Sequence, residues 1–339
     1  MKPKVSVVVA IYNVAEYIEQ CMRSLFEQTL DSVEYVFVDD CSPDDSMEIV
    51  SRVLTEYPQR QGQVNIIRHE QNMGVAVTKN DVIRNATGEY FTVVDPDDYV
   101  EREMLEVMYE KAEKESADMV LCDFYRFAES WCEVDTMVYD GVRGDGENVR
   151  DDIINRKVPS YCLNKLSRKS LFEGDDVVWP VGRFAEDIVY SVVSALKAKR
   201  ISYVAQTLYH YRSREGALTH AHDEEKCLRN CEGYRLNVDI MVNYLRKNGV
   251  EDKYWKGILI QKLRTRNRLL PLTNRRKYIK QWFHTYPELN KVLFWGDSRY
   301  HSTYREKIWF IAVGLGLYPR YKNKLGGKYL RPFPEWPVW

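Results

Sequence analysis

The 339-residue sequence has no apolar run of the ~18 residues that a membrane-spanning helix needs. Its opening stretch "VSVVVAIY" is too short for a signal peptide's apolar core and cleavage region, and Asn13 interrupts it. Cysteine is sparse: seven thiols, odd in number and scattered. Only Cys227 and Cys231 lie close together, and that four-residue step fits one helix face better than a zinc knuckle. These absences predict a reduced, cytoplasmic chain without a metal–cysteine site. There is no internal repeat and no low-complexity tract.

Acidic residues are missing from 253–280, which hold ten Lys/Arg and no Asp/Glu. The formal net charge of −1 therefore conceals an asymmetry: residues 253–339 carry nineteen Lys/Arg against four Asp/Glu. A basic end implies an anionic partner. With "IWFIAVGLGLY" (308–318) and the terminal Trp336 and Trp339, it predicts a segment lying on an anionic membrane surface. The competing reading is a helical subdomain packed on its own apolar residues. No nucleic-acid-binding motif accompanies the charge, so no nucleic-acid partner is expected.

What is present is a βα alternation. "KVSVVVAI" (4–11) is β-branched and apolar on both faces, as in a buried parallel strand. Asn13 and Glu16 then resemble a box-like helix start, and Ile18, Cys21, Met22, Leu25 and Phe26 follow at helical spacing. Strands are predicted at 34–40, 64–69, 90–95 and 117–124, and helices at 44–57, 74–86 and 101–116. Residues 126–160 read as a loop-rich excursion, followed by a helix at 183–199 and strand and loop at 200–216. The fold class expected is α/β, a doubly wound, Rossmann-like, mostly parallel sheet with a C-terminal helical extension.

In such sheets function lies beyond the carboxyl ends of the strands. Three polar clusters follow strands: Tyr12-Asn13, Asp39-Asp40, and Asp95 to Asp98. In "TVVDPDDYV" (92–100) an apolar run ends in three carboxylates interrupted only by Pro96. Like charges this close repel, so the turn is either solvated or compensated by a cation. In an extended chain Asp95 and Asp97 would point to one side.

The blocks "VSVVVAIYN", "VDDCSPDDS", "NMGVAVTKN", "ATGEYFTVVDPDDYV" and "FAEDIVYS", in that order, resemble the family 2 glycosyltransferases of GT-A fold over about residues 3–215. The resemblance implies a catalytic domain at 1–216 and a basic, aromatic helical region at 217–339. It implies inverting transfer of a sugar from a nucleotide-sugar, usually a UDP-sugar, to a hydroxyl of a glycan or lipid-diphosphate-linked acceptor. The setting implied is bacterial surface polysaccharide synthesis, with Mn²⁺ or Mg²⁺ as cofactor. A hard cation bridging the diphosphate and protein carboxylates would stabilise the leaving group.

By the same match Asp97 is a metal ligand, and Asp95 contacts the ribose or the metal, with Asp98 behind them. Asp40 resembles the uracil-binding carboxylate and Asp187 the general base, while Glu186 contacts the acceptor or holds the loop. An Asp in a first helical turn also has a plain helix-dipole explanation. Tyr12 is placed to stack on a base and the Ala10 main chain to make polar contacts beside it. Lys79 stands where the family commonly has Arg, as a phosphate contact or as a solvated lysine. Arg212 and Arg214 are suited to clamp diphosphate oxygens. His220 is either an extra metal ligand or an isolated surface histidine. "LNKLSRKSLF" (163–172) resembles an acceptor-bordering stretch, without a role for Asn164 or Lys165. Three other classes compete: a receiver-like signalling domain, a nucleotidyltransferase and a catalytically inactive binding module. "AIYNVAEY" lacks the glycine of a nucleotidyltransferase phosphate loop, and a receiver is much shorter than this region.

Overall fold

A computed structural model describes residues 2–127, 135–137, 146–158, 160–173, 179–180, 185–213, 224–272, 276–296, 299, 307, 311 and 313–315. The β-branched opening run forms β1 (Val5–Ile11), buried along almost its whole length. Helix α1 (Ile18–Phe26) buries the predicted stripe of Ile18, Cys21, Met22, Leu25 and Phe26. Then come β2 (Val33–Asp39), α2 (Ser46–Thr55), β3 (Val64–Arg68), α3 (Val75–Asn85) and β4 (Tyr90–Val93). The short β5 (Tyr99–Val100), α4 (Met104–Glu115) and β6 (Met119–Phe127) follow. Beyond them lie β7 (Asp135–Met137), α5 (Gly146–Ile154), β8 (Lys165–Arg168), α6 (Asp187–Lys197) and β9 (Ile201–Arg212).

The strands make one sheet in the order β3-β2-β1-β4-β8-β6-β9-β5, with β7 paired to β6. The β3-β2-β1-β4 half is parallel throughout, as a doubly wound α/β sheet requires. β8 enters antiparallel between β4 and β6, and β6 then runs parallel to β9. The α/β expectation therefore holds, with a mixed extension beyond β4.

Two expectations are corrected. Asn13 does not cap a helix: its backbone is left-handed at φ +52, and α1 begins only at Ile18, without a side-chain cap. The intervening loop is tied instead to the start of α2. Val14 N–H donates to Ser46 Oγ at 3.1 Å and Ala15 N–H to Asp44 Oδ2 at 2.8 Å. Within 126–160, read as loop-rich, the structure places β7 and α5, whose Val149, Ile153 and Ile154 enter the core.

Parallel register fixes where the strands end. Ile11 pairs with Asp39 and Asp39 with Arg68, so β1, β2 and β3 finish level. β4 pairs as far as Val8 with Val93, and Val94 N–H still donates to Val8 C=O at 2.9 Å. Asp95 thus follows at the level of Ala10. Tyr12, Asp39-Asp40 and the acidic turn leave one rim.

A first compact unit holds Met1–Ile154, Ser160–Gly182 and Glu186–His220; a second holds Asn155–Pro159, Arg183–Ala185 and Ala221–Trp339. The second contains α7 (Glu224–Lys247), α8 (Trp255–Asn267), α9 (Arg276–His284) and α10 (Glu288–Trp295). Its own core includes Cys231, Leu263, Trp282, Leu289 and Leu293. Cys227 and Cys231 are buried on α7, the helix face their spacing predicts. Basic residues of 253–280 lie on α8 and α9, whose apolar residues contribute to that core. Arg266 is buried with its guanidinium 3.5 Å from the Trp282 ring centroid. Among the described residues no helix is long and apolar enough to cross a membrane. Most of 308–318, and Trp336 and Trp339, lie outside the described residues.

Candidate active site

The acidic stretch is a turn, as expected, and specifically a reverse turn. Asp98 N–H donates to Asp95 C=O at 3.1 Å across Pro96 and Asp97, and Pro96 supplies the fixed φ that such a turn favours. The turn gathers what an extended chain would only align. Carboxylate oxygens of Asp95, Asp97 and Asp98 lie within 4.8 Å of one another. Asp98 is buried and held from β9: Oδ2 accepts from the Tyr209 hydroxyl at 2.7 Å and Oδ1 from Arg212 N–H at 2.7 Å. Burial, then the Asp95 and Asp97 charges, push its pKa well up against those hydrogen bonds. Asp95 is pushed up to about 7, by burial first; Lys79 pulls against the rise and Asp97 adds to it. Crowded oxygen donors of this kind match a hard divalent cation, which would relieve their repulsion.

Asp187 opens α6, with Glu186 at the N-cap position. Its Oδ1 accepts from Lys79 Nζ at 3.2 Å and from the Trp179 indole Nε1 at 3.1 Å. Neither donor reaches Oδ2. Glu186 is buried, and its Oε1 accepts from the same Lys79 at 3.2 Å. Burial first, with Asp187 adding, raises the Glu186 pKa against the pull of Lys79. Lys79 is no solvated lysine: its side chain is 4% exposed. Burial alone would lower its pKa, but the Asp187, Glu186 and Asp95 charges more than reverse this, so it stays protonated.

At the rim after β1 Tyr12 is 44% exposed, an aromatic face open for stacking. Asp40 is buried and built into its surroundings. Oδ1 accepts from Met73 N–H at 2.8 Å and lies 2.7 Å from His69 Nδ1, while Oδ2 accepts from Gly74 N–H at 2.8 Å. A carboxylate has about four acceptor sites, so a base N–H would meet the one left on Oδ2. Asp39 is turned to its own loop, accepting from Ser42 N–H at 2.9 Å.

Arg212 ends β9 and grips the acidic turn. Nε donates to Asp97 C=O at 2.9 Å and Nη2 to Gln20 Oε1 at 2.6 Å, with the guanidinium over Tyr17 and Phe127. Arg214 and His220 lie outside the described residues. Asn164 and Lys165 are buried around β8, where Asn164 Nδ2 donates to Cys122 C=O at 2.6 Å. Sequence reading missed Trp179, Tyr209 and Gln20. None sits in a recognisable block; Tyr209 had only its place three residues before Arg212 as a signal.

The fold and rim define an α/β protein with a carboxylate cluster beyond the carboxyl ends of its parallel strands. Comparison with known proteins makes this specific. Residues 6–136 match Glycosyl transferase family 2. The chain is 32% identical over 231 residues to "Glycosyltransferase GlyG" of Streptococcus pneumoniae serotype 4 (strain ATCC BAA-334 / TIGR4), covering 64% of this chain and 73% of that protein. The solved structure of S. aureus TarS 1-349 in complex with UDP-GlcNAc superposes with a TM-score of 0.64 at 20% identity, covering 96% of this chain and 93% of that one. The mannosyltransferase PcManGT from Pyrobaculum calidifontis, in complex with GDP-Man and Mn2+, superposes at TM-score 0.55 and 16% identity, covering 96% and 88%. The chain belongs to the family 2 glycosyltransferases, and it is an enzyme of glycosyl transfer.

Proposed function

We propose that the protein transfers a sugar from a nucleotide-sugar, a UDP-sugar, to a hydroxyl of a glycan or lipid-linked glycan, with inversion at the anomeric carbon. The observation that carries this reading is the acidic turn, where carboxylate oxygens of Asp95, Asp97 and Asp98 lie within 4.8 Å of one another beyond the strand ends. Asp187, whose Oδ1 accepts from Lys79 and Trp179 at the start of α6, is the candidate base.

Asp97 and Asp95 would hold Mn²⁺ or Mg²⁺, since their oxygens crowd together and Asp98 is already engaged by Tyr209 and Arg212. When bound, the cation supplies positive charge to the departing diphosphate. Tyr12 stacks on the base, the Ala10 main chain contacts it, and Asp40 accepts its ring N–H. Arg212 fixes the turn from β9; Arg214 is retained as a candidate diphosphate contact. The acceptor hydroxyl gives its proton to Asp187 Oδ2 as its oxygen bonds to the anomeric carbon. The bond from that carbon to the diphosphate oxygen breaks on the opposite face, and the electron pair leaves with the nucleoside diphosphate. No enzyme nucleophile intervenes, so a single displacement inverts the centre. The family setting supports surface polysaccharide synthesis.

A thermal-shift panel of nucleotide-sugars with and without Mn²⁺, followed by UDP-release assays, tests the reading. A specific ligand raises the melting midpoint by mass action. A UDP-sugar should do so only with Mn²⁺, and the best donor should release UDP. Equal shifts with EDTA would contradict the metal assignment, and a response to no nucleotide-sugar would contradict the function.

A further inference from the structure

Two consecutive residues of α3 reach across, Lys79 to the start of α6 and Asn80 to Trp179 ahead of it. Lys79 Nζ lies 3.2 Å from Asp187 Oδ1 and from Glu186 Oε1, and 3.6 Å from Cys162 Sγ. Asn80 Nδ2 donates to Trp179 C=O at 2.7 Å, and Trp179 N–H returns a bond to Asn80 Oδ1 at 3.3 Å. That exchange holds the tryptophan whose indole N–H meets the same Asp187 Oδ1 at 3.1 Å. Trp179 is fully buried and stacked on Tyr190, with ring centroids 4.9 Å apart and planes within 3°. The start of α3 is itself pinned, because Asp40 takes the N–H groups of Met73 and Gly74.

An ammonium has three donors and no acceptor. Those of Lys79 are directed to two carboxylates and a thiol inside the protein, an arrangement unlike that of a lysine presented to a diphosphate. We infer that Lys79 is a positioning residue for Asp187: with the Trp179 indole it fixes Oδ1, leaving Oδ2 to take the acceptor's proton. The inference rests on the reading of Asp187 as the base.

Lys79 also supplies the counter-charge. Glu186 and Asp187 face it from α6, Cys162 from the segment before β8 and Asp95 from the acidic turn, with the Tyr190 hydroxyl nearby. Removing the ammonium would leave this carboxylate crowd without its counter-charge and Asp187 Oδ1 with one donor fewer.

The test uses the full-length chain, UDP with Mn²⁺ as the binding probe, and UDP release from the UDP-sugar that the wild type turns over fastest. Lys79→Met should keep UDP affinity within about threefold and slow UDP release by about 10²-fold or more. Lys79→Arg, which keeps the charge, should restore most of the release rate. Trp179→Phe keeps the stacked ring and removes only the N–H donor, so it serves even if Lys79→Met does not fold. It should slow release about tenfold with UDP affinity unchanged. Adding Lys79→Met to Asp187→Asn should cost nothing further, because the two act as a unit. If Lys79→Met loses UDP affinity in step with release, Lys79 is a phosphate contact and the inference falls. It also falls if both variants keep the wild-type rate. Near-normal release by Asp187→Asn would instead remove the base reading itself.

Discussion

The Tyr209 hydroxyl joins both ends of the acidic turn: it donates to Asp98 Oδ2 at 2.7 Å and accepts from Asp95 N–H at 3.1 Å. One buried phenol on β9 thus holds the turn that gathers three carboxylates. The surroundings of Asp98 and Asp95 push the phenol's own pKa well up, burial acting first, so it remains a donor.

Tyr209→Phe leaves the ring and removes that link. A buried carboxyl loses a donor and a backbone N–H its acceptor, which should cost about 1–3 kcal/mol of stability. Urea unfolding measures the loss, and calorimetry with UDP and Mn²⁺ should show weakened binding in the folded protein. Wild-type stability and affinity in the variant would show that the turn is set without β9.

Metal binding should depend on pH with a definite sign. Asp95 is raised from 3.8 to about 7, so between those values the native state keeps a proton that the unfolded chain has released. Stability of the metal-free protein therefore falls as pH rises through this window. A cation must displace that proton, and the stabilisation by Mn²⁺ should grow from about pH 5.5 to about pH 8. Thermal melts with and without Mn²⁺ at the two pH values decide it. A constant increment would mean that Asp95 is not a ligand.

The far end of the sheet carries a steric requirement in "ATGEY". A Cβ built on Gly88 would stand 2.6 Å from Ser6 Oγ, 2.7 Å from Ser6 N and 2.8 Å from Tyr90 O. Ser6 Oγ also accepts from Gly88 N–H at 2.8 Å and donates to Glu34. Gly88→Ala should destabilise the protein by about 1–3 kcal/mol through overpacking, read from its urea midpoint. UDP affinity of the folded variant should stay near wild type, since the rim lies at the opposite strand ends.

How much of this was legible in the sequence depends on the range of the interaction. β1, β2, β4 and α1 announce themselves because apolar periodicity is local, and the rim follows from parallel pairing. β8 was not legible: "KLSR" is four residues long and buries Lys165 and Ser167, against the apolar pattern of a core strand. The burial of Lys79 was hidden for a different reason. Its partners Glu186 and Asp187 are more than a hundred residues away, so nothing near "VTKN" distinguishes it from a solvated lysine. Asn13 misled because a good capping residue also tolerates the left-handed backbone that the loop requires.

The central claim is that Asp187 is the base of a metal-assisted single displacement. The direct measurement is UDP release by Asp187→Asn, set against its UDP affinity in Mn²⁺. Asp187→Asn should release UDP about 10²- to 10⁴-fold more slowly, with affinity within about threefold of wild type. Near-normal release by Asp187→Asn, with the loss appearing in Glu186→Gln instead, would contradict it.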